Sequence, residues 1–287
     1  MEISVIIPAK NEAGSVGDVV QGILSCLGDV EVIVVNDGSS DMTADVAASA
    51  GARVISHPYS KGNGSAIKTG ARAAAGDVLV FMDGDGQHSA SEIPRFLEAL
   101  GNGADMVVGA RSEGSQASLG RGLANKFYNW LSSWMSGTKI KDLTSGFRAV
   151  KAKKFRQFLY LLPNGFSYPT TSTMAFLRAG YSVEFIPIDA AKRLGKSHIK
   201  PVKDGIRFLL IIFKIGTLYS PLKLFVPIAF ALFLVGISYY GYTFSTQGRF
   251  TNMSALLLST SLIIFLVGLV SEQITALMYR ETDQEKD

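Results

Sequence analysis

The chain has 287 residues, 47% of them hydrophobic, a formal net charge of +4 and a mean hydropathy of +0.24. That balance is too apolar for an ordinary soluble enzyme, and no nucleic-acid partner is expected from it. The sole cysteine, Cys26, cannot form an internal disulfide, fits a reducing compartment and reads as a small core residue on a helix.

Residues 1 to about 190 alternate short apolar runs with helical periodicity, the pattern of βαβ units and a mostly parallel sheet. Ile3 to Ile7 is the first predicted strand. The N-terminus opens directly on it, without the charged region and small-residue cleavage site of a signal peptide. Pro8-Ala9-Lys10-Asn11-Glu12 follows, then a helix over Glu12 to Leu27. Glu31 to Val35 is the second strand, ending in Asn36-Asp37-Gly38-Ser39-Ser40-Asp41 before a helix over Thr43 to Ser49. Asp37 suits hydrogen bonds from a ribose or base, whereas Asp41 reads almost as well as a turn cap. Ala52 to Ile55 is the third strand. Lys61-Gly62-Asn63-Gly64-Ser65, ahead of a helix over Ser65 to Ala75, either brings backbone N–H groups to an anion or is a plain turn.

Val78 to Met82 is the fourth strand, and it ends in Asp83-Gly84-Asp85-Gly86-Gln87-His88. Two carboxylates one residue apart, among glycines that admit a ligand to the backbone, suit Mg²⁺ or Mn²⁺ carrying a diphosphate. An Asp-Gly turn closing a hairpin would give the same residues. A helix over Glu92 to Leu100 and a strand over Met106 to Val108 come next. Ligands of such sheets bind beyond the carboxyl ends of the strands, so three polar loops are expected on one rim. No GxGxxG follows the first strand and no GxxxxGK[ST] occurs, which argues against a dinucleotide fingerprint or a P-loop. His57, His88 and His198 lack zinc-site spacing. Asn125 to Met135 is amphipathic and reads as an acceptor lid or as core.

Pro201 to Ser220 reads as a helix in the lipid headgroup layer, with Lys203, Arg207 and Lys214 on one face, or as an amphipathic helix docked on the catalytic part. Leu224 to Tyr242 and Met253 to Ser271 carry no charge. Each approaches the roughly 20 residues that span a bilayer core of about 30 Å. Lys200, Lys203, Arg207, Lys214 and Lys223 precede the first run and Arg280 and Lys286 follow the second, against Arg249 alone between them. Both termini and the catalytic part are therefore expected in the cytoplasm. The predicted domains are 1–199, catalytic; 200–220, interfacial helix; and 221–287, two spans at about 222–243 and 253–274 with a short tail.

Five stretches then carry a resemblance: Ile6-Ile7-Pro8-Ala9-Lys10-Asn11-Glu12, Val34-Val35-Asn36-Asp37-Gly38-Ser39, Asp83-Gly84-Asp85-Gly86-Gln87-His88, Asp142-Leu143-Thr144-Ser145-Gly146-Phe147-Arg148 and Arg193-Leu194-Gly195-Lys196-Ser197. In this order they resemble the motifs of inverting GT-A glycosyltransferases of family 2, in the branch of dolichol-phosphate mannose synthases and bacterial polyprenyl-phosphate glycosyltransferases. The resemblance implies an α/β fold: a GT-A, Rossmann-like catalytic domain with a mostly parallel sheet, then an interfacial amphipathic helix and a two-helix transmembrane hairpin.

It also implies roles. Asp83, Asp85 and Gln87 would hold Mg²⁺ or Mn²⁺ and, with Gly84, the donor diphosphate, while Pro8, Lys10, Glu12, Val35 and Asp37 would line the nucleoside pocket. Arg111 and Arg193 would contact the donor and act in catalysis with Asp85 and Asp142. Arg121, Asn125, Ser145, Arg148, Lys196 and Ser197 would meet the acceptor phosphate. His198 stands where the family has a phosphate-binding lysine, so a residue charged only part of the time near neutral pH joins the donor side, and Lys196 or Lys200 is left to compensate. Asp142 orients the acceptor, acts as a base or caps its own turn; Arg148 contacts phosphate or makes a surface ion pair.

The activity implied is inverting transfer of a single sugar from a nucleotide sugar to a polyprenyl or dolichyl phosphate, on the cytoplasmic face of a cell membrane or ER-type membrane. Lys61-Gly62-Asn63-Gly64-Ser65-Ala66-Ile67 favours a UDP-sugar over GDP-mannose. A processive polysaccharide synthase would need a QxxRW signature, and neither Trp130 nor Trp134 follows an arginine. A transferase acting on a saccharide acceptor and a non-catalytic nucleotide-sugar-binding scaffold also compete with this activity, and a homo-oligomer is left open.

Overall fold

A computed structural model of the chain describes residues 2–111, 119–165, 167–189, 213 and 216–284, without the side chains of 119–125, 127, 128 and 280–284. The chain divides into two compact units, Met1–Ile199 and Lys200–Asp287. In the first unit β1 (Ile3–Ala9), α1 (Val16–Leu27), β2 (Glu31–Asn36), α2 (Thr43–Ser49), β3 (Arg53–Ser56), α3 (Asn63–Ala73), β4 (Val78–Phe81), α4 (Ile93–Gly101) and β5 (Met106–Arg111) alternate as the apolar periodicity predicts. Then come α5 (Leu119–Ser136), β6 (Arg148–Lys151), α6 (Ala152–Arg156), α7 (Tyr168–Arg178) and β7 (Val183–Ile188).

The strands form one seven-stranded sheet in the order β3-β2-β1-β4-β6-β5-β7. Every pairing is parallel except those of β6, which runs against both β4 and β5. A parallel strand covered on both faces has no polar side, which is why Val-Leu-Val-Phe of β4 is buried at every position. Val16, Val19, Val20 and Ile23 recur at helical spacing and pack α1 on one face of the sheet, joining Val5, Ile7, Val34 and Val80 in the core.

Three expectations shift. Helix α1 starts at Val16 and not at Glu12, because Asn11 is left-handed (φ 56°) and the Ser15 and Val16 N–H groups turn back onto the Glu12 carbonyl. Cys26 lies on α1 but is exposed, at the flank of that apolar stripe, where its Sγ reaches the Ala90 carbonyl at 3.5 Å. Strands β6 and β7 lack a clear strand signal in the sequence: β6 has four residues and opens on an arginine, and β7 contains Glu184 and Pro187. The proline is tolerated because β7 is the edge of the sheet.

In the second unit α8 (Pro221–Gln247) and α9 (Asn252–Gln284) form an antiparallel pair. Among the described residues two stretches are long and apolar enough to cross a membrane, Pro221–Gln247 with mean hydropathy 2.0 and Asn252–Tyr279 with 2.4. They fit closely: a Cβ on Gly268 would stand 2.8 Å from that of Phe225, and Ser261 Oγ donates to the Ala229 carbonyl at 2.8 Å. Small residues that let helix backbones approach, and hydroxyls that bridge them, are the usual contacts between helices in lipid. The expected interfacial helix lies largely outside the described residues.

Candidate active site

The parallel register brings the carboxyl ends of β1, β2 and β4 to one rim, with Ala9 opposite Asn36 and Ile6 opposite Phe81. The loops after β1 and β2 clasp each other. Asn11 N donates to Ser39 Oγ at 3.0 Å, Asn11 Oδ1 accepts from Ser40 N at 2.9 Å, and Glu12 N donates to Thr43 Oγ1 at 2.9 Å. Asp41 accepts from the Ala13 and Thr43 amides at 3.2 and 3.1 Å, so it closes the turn ahead of α2 and ties the two loops together. Pro8 and Glu12 are half-buried and Lys10 is exposed at the rim. Val35, expected in the nucleoside pocket, is 0% exposed within the sheet core and offers its side chain to no ligand.

Asp37 is also turned inward. Its carboxylate accepts from Ser60 Oγ, Lys61 N and Gly62 N, each at 2.8 Å, and pairs with His57 Nδ1 at 2.7 Å; His57 Nε2 meets Thr69 Oγ1 at 2.9 Å. Burial pushes this carboxyl up, but the bonds from His57, Lys61, Ser60 and Gly62 outweigh it and bring it down to about 2. A carboxylate with about four acceptor positions is filled by this set. The reading of Asp37 as a direct nucleoside contact is therefore corrected: it holds the loop between β3 and α3. The anion held by Lys61 and Gly62 is Asp37 itself. The Gly64 and Ser65 amides are likewise taken, by the carbonyls of Gly165 at 3.1 Å and Asn164 at 2.9 Å.

Beyond β4, Asp83 and Asp85 are half-buried, Gln87 lies beside them and Ser15 Oγ donates to the Gly84 carbonyl at 2.7 Å. Gln87 N donates to Asp85 Oδ1 at 3.2 Å, a turn closed by Gly86 at φ 73°. The Asp142–Phe147 loop presses on this segment: a Cβ added to Gly146 would stand 2.8 Å from Asp83 Oδ2. Among the described residues no group of three or more His, Cys, Asp and Glu could hold a metal ion. Two carboxylates and an amide nevertheless suit Mg²⁺ or Mn²⁺, which take oxygen ligands and complete their shells with substrate phosphates and water.

Arg111, the last residue of β5, is gripped by Asp142. Its Nε and Nη2 donate to the two carboxylate oxygens at 2.8 and 3.1 Å, and Nη2 also reaches Thr144 Oγ1 at 2.6 Å. Burial pushes the Asp142 carboxyl up, and the Arg111 guanidinium more than offsets this, holding it below its ordinary value. Asp142 is thereby corrected from a base to the group that orients Arg111, since an ionised carboxylate paired this closely is a poor proton acceptor.

Arg148 is the largest correction. It is 0% exposed and meets no acceptor surface. On the short strand β6 its side chain runs under the site into the start of α7, donating to the Pro169 carbonyl and Ser172 Oγ at 2.8 Å, to Thr173 Oγ1 at 3.1 Å and to the Ser145 carbonyl. The Tyr168 ring packs 5.7 Å from it, and Tyr168 OH donates to the Gly146 carbonyl at 3.1 Å. Arg148 thus bolts the Ser145–Gly146 backbone in place from behind. Ser145, also expected to meet acceptor phosphate, is 1% exposed.

His88 carries no assigned role in the sequence motifs. It is buried, stacks on Phe147 with ring centres 5.0 Å apart, and its Nδ1 has no hydrogen-bond partner among the described residues. The signal for it is its place at the end of the Asp83–His88 run. Arg193, Lys196, Ser197 and His198 lie outside the described residues; Arg121 and Asn125 occupy the first turns of α5, with side chains outside them.

Residues 4–161 match the model of glycosyl transferase family 2. The chain belongs to that family. Residues 220–277 match the GtrB C-terminal hairpin, so this glycosyltransferase is membrane-associated. Glycosyltransferase AglJ of Haloferax volcanii is 25% identical over 96% of this chain and 94% of its own length. The undecaprenyl-phosphate mannosyltransferase of Micrococcus luteus is 30% identical over 69% of this chain and 87% of its own. Glucosyl-3-phosphoglycerate synthase from Mycobacterium tuberculosis, solved with Mn²⁺, UDP and glucosyl-3-phosphoglycerate, superposes with a TM-score of 0.60 at 24% identity, over 75% of this chain and 78% of that one. At that identity the likeness establishes the GT-A fold.

Proposed function

We propose that this family 2 glycosyltransferase moves one sugar, with inversion, from a nucleotide sugar to a polyprenyl phosphate at the cytoplasmic face of a membrane. The observation that carries this reading is the union, in one chain, of the Asp83–Asp85 rim with a helical pair long enough to cross a bilayer. The Micrococcus luteus relative, named for an undecaprenyl-phosphate acceptor, supports it. The lysines and arginine preceding α8 support the cytoplasmic side.

Asp83, Asp85 and Gln87 would hold Mg²⁺ or Mn²⁺. Bound there, the cation supplies charge to the departing diphosphate. Arg111, fixed by Asp142 and Thr144, adds an oriented cation where negative charge grows, and such a preorganised group costs no rearrangement during the reaction. Arg193 and His198 complete the donor side, with Pro8, Lys10 and Glu12 at the nucleoside; Arg121, Asn125, Lys196 and Ser197 face the acceptor phosphate. A phosphate monoester oxygen is already anionic at neutral pH, so its attack on the anomeric carbon needs no strong base. The commitment of Asp142 to Arg111 agrees with such a nucleophile. The Lys61–Ile67 segment favours a UDP-sugar.

A panel of labelled nucleotide sugars offered with polyprenyl phosphate and metal tests this. The expected product is organic-soluble and releases its label as a single sugar in mild acid, with a UDP-sugar the best donor. Label in a water-soluble polymer, or equal transfer to a free saccharide without lipid phosphate, overturns the proposal.

A further inference from the structure

The chain has two tryptophans, Trp130 and Trp134, and both lie on α5. They are 61% and 46% exposed, one helical turn apart and so on one face. Lys126, a turn earlier on the same face, is exposed, as is Lys139 just beyond the helix end, whereas Lys141 Nζ turns back to the Phe185 carbonyl at 3.5 Å. Ser132 and Met135, on other faces, are 2% and 3% exposed, so α5 is seated in the domain by one side and presents its tryptophans on another. Large aromatic side chains grouped on an outer face mark an interaction surface.

We propose that this face of α5 docks in the headgroup layer of an anionic lipid bilayer. Residue chemistry selects that occupant. Tryptophan joins an apolar ring to an N–H donor and concentrates where hydrocarbon meets water, while lysines beside it complement anionic lipid. A second copy of the chain fits less well, because a self-matched face would set these lysines against each other and lysine is depleted in protein interfaces. The proposal rests on the reading of the chain as membrane-anchored, which places a bilayer within reach of the catalytic unit.

The docking has a route to the chemistry. Asn129, one residue before Trp130, donates through Nδ2 to the Lys141 carbonyl at 2.8 Å and accepts from Leu143 N at 3.1 Å; Ser133 Oγ accepts from Ile140 N at 2.9 Å. These bonds fasten α5 to the turn that delivers Asp142, the anchor of Arg111. Seating the tryptophans at the lipid surface therefore fixes the height of the donor-side arginine above that surface.

Because no other tryptophan exists in the chain, emission of the full-length protein reports this face alone. The protein is placed in nanodiscs of phosphatidylcholine and phosphatidylglycerol, with lipids brominated either high on the acyl chain or near its end. Trp130→Phe and Trp134→Phe leave one reporter each. The expected result is blue-shifted emission, quenched most by the shallow bromine and little by aqueous acrylamide, for both single-tryptophan proteins. Emission quenched by acrylamide and by neither lipid overturns the proposal. So does shielding from all three quenchers, and if that shielding grows with protein per disc the face pairs with a second copy. Failure of the anchored reading looks different: the protein then elutes free of discs.

Discussion

Gly146 is held tightly against the Asp83 carboxylate. With 2.8 Å between its would-be Cβ and Asp83 Oδ2, Gly146→Ala must displace either the loop or the carboxylate. The expected outcome is a roughly tenfold or larger loss of divalent-cation affinity, measured by calorimetry in the presence of UDP, with little change in melting temperature. Asp85→Ala should lose more, since it removes an oxygen ligand outright; unchanged affinity in both would contradict the metal assignment. Arg148 makes the opposite case. Arg148→Met leaves the buried Ser145 carbonyl without its Arg148 donor and removes one of three donors from the Pro169 carbonyl, which keeps Thr173 Oγ1 and Ser172 Oγ, a cost of about 1–3 kcal/mol in denaturant unfolding. The KM for lipid phosphate should not change specifically. A selective rise in that KM at unchanged stability would restore Arg148 to the acceptor site.

The loops and helices around β1 to β4 show what patterning can reveal. Continuous apolar runs ending in polar turns announce those strands and their shared rim, because parallel strands are buried on both faces and ligands gather at their carboxyl ends. Direction of side chains is not legible. Asp37 and Arg148 look like ligand contacts on type and motif, and only the return of the loop between β3 and α3, and the packing of α7 under β6, show that each is consumed within the protein. Strand β6 is hidden for a related reason: four residues opening on a buried arginine carry no alternation to read. The Asp37 clasp yields a pH prediction. Its carboxyl falls from an ordinary 3.8 to about 2 on folding, so the folded state binds that proton less tightly. The resulting stability, about 2 kcal/mol, is complete above about pH 4 and is lost as pH falls toward 2. Asp37→Asn should be less stable than the parent near neutrality, the two converging in acid when followed by denaturant unfolding; parallel curves would contradict the clasp.

Across the whole molecule, a family 2 glycosyltransferase domain and a pair of helices of membrane-crossing length share one chain. Reporter fusions at Gln247, where α8 ends, and at Asp287 should lie on opposite faces, with Asp287 cytoplasmic. The same side for both would remove the hairpin topology. The structure of the product tests the central claim most directly. NMR of lipid-soluble material made from an α-linked UDP-sugar should show one sugar joined through a single phosphate to the polyprenyl chain, in the β configuration from the first turnover. A retained α linkage, a diphosphate bridge or a chain of several sugars would contradict inverting transfer to a polyprenyl phosphate.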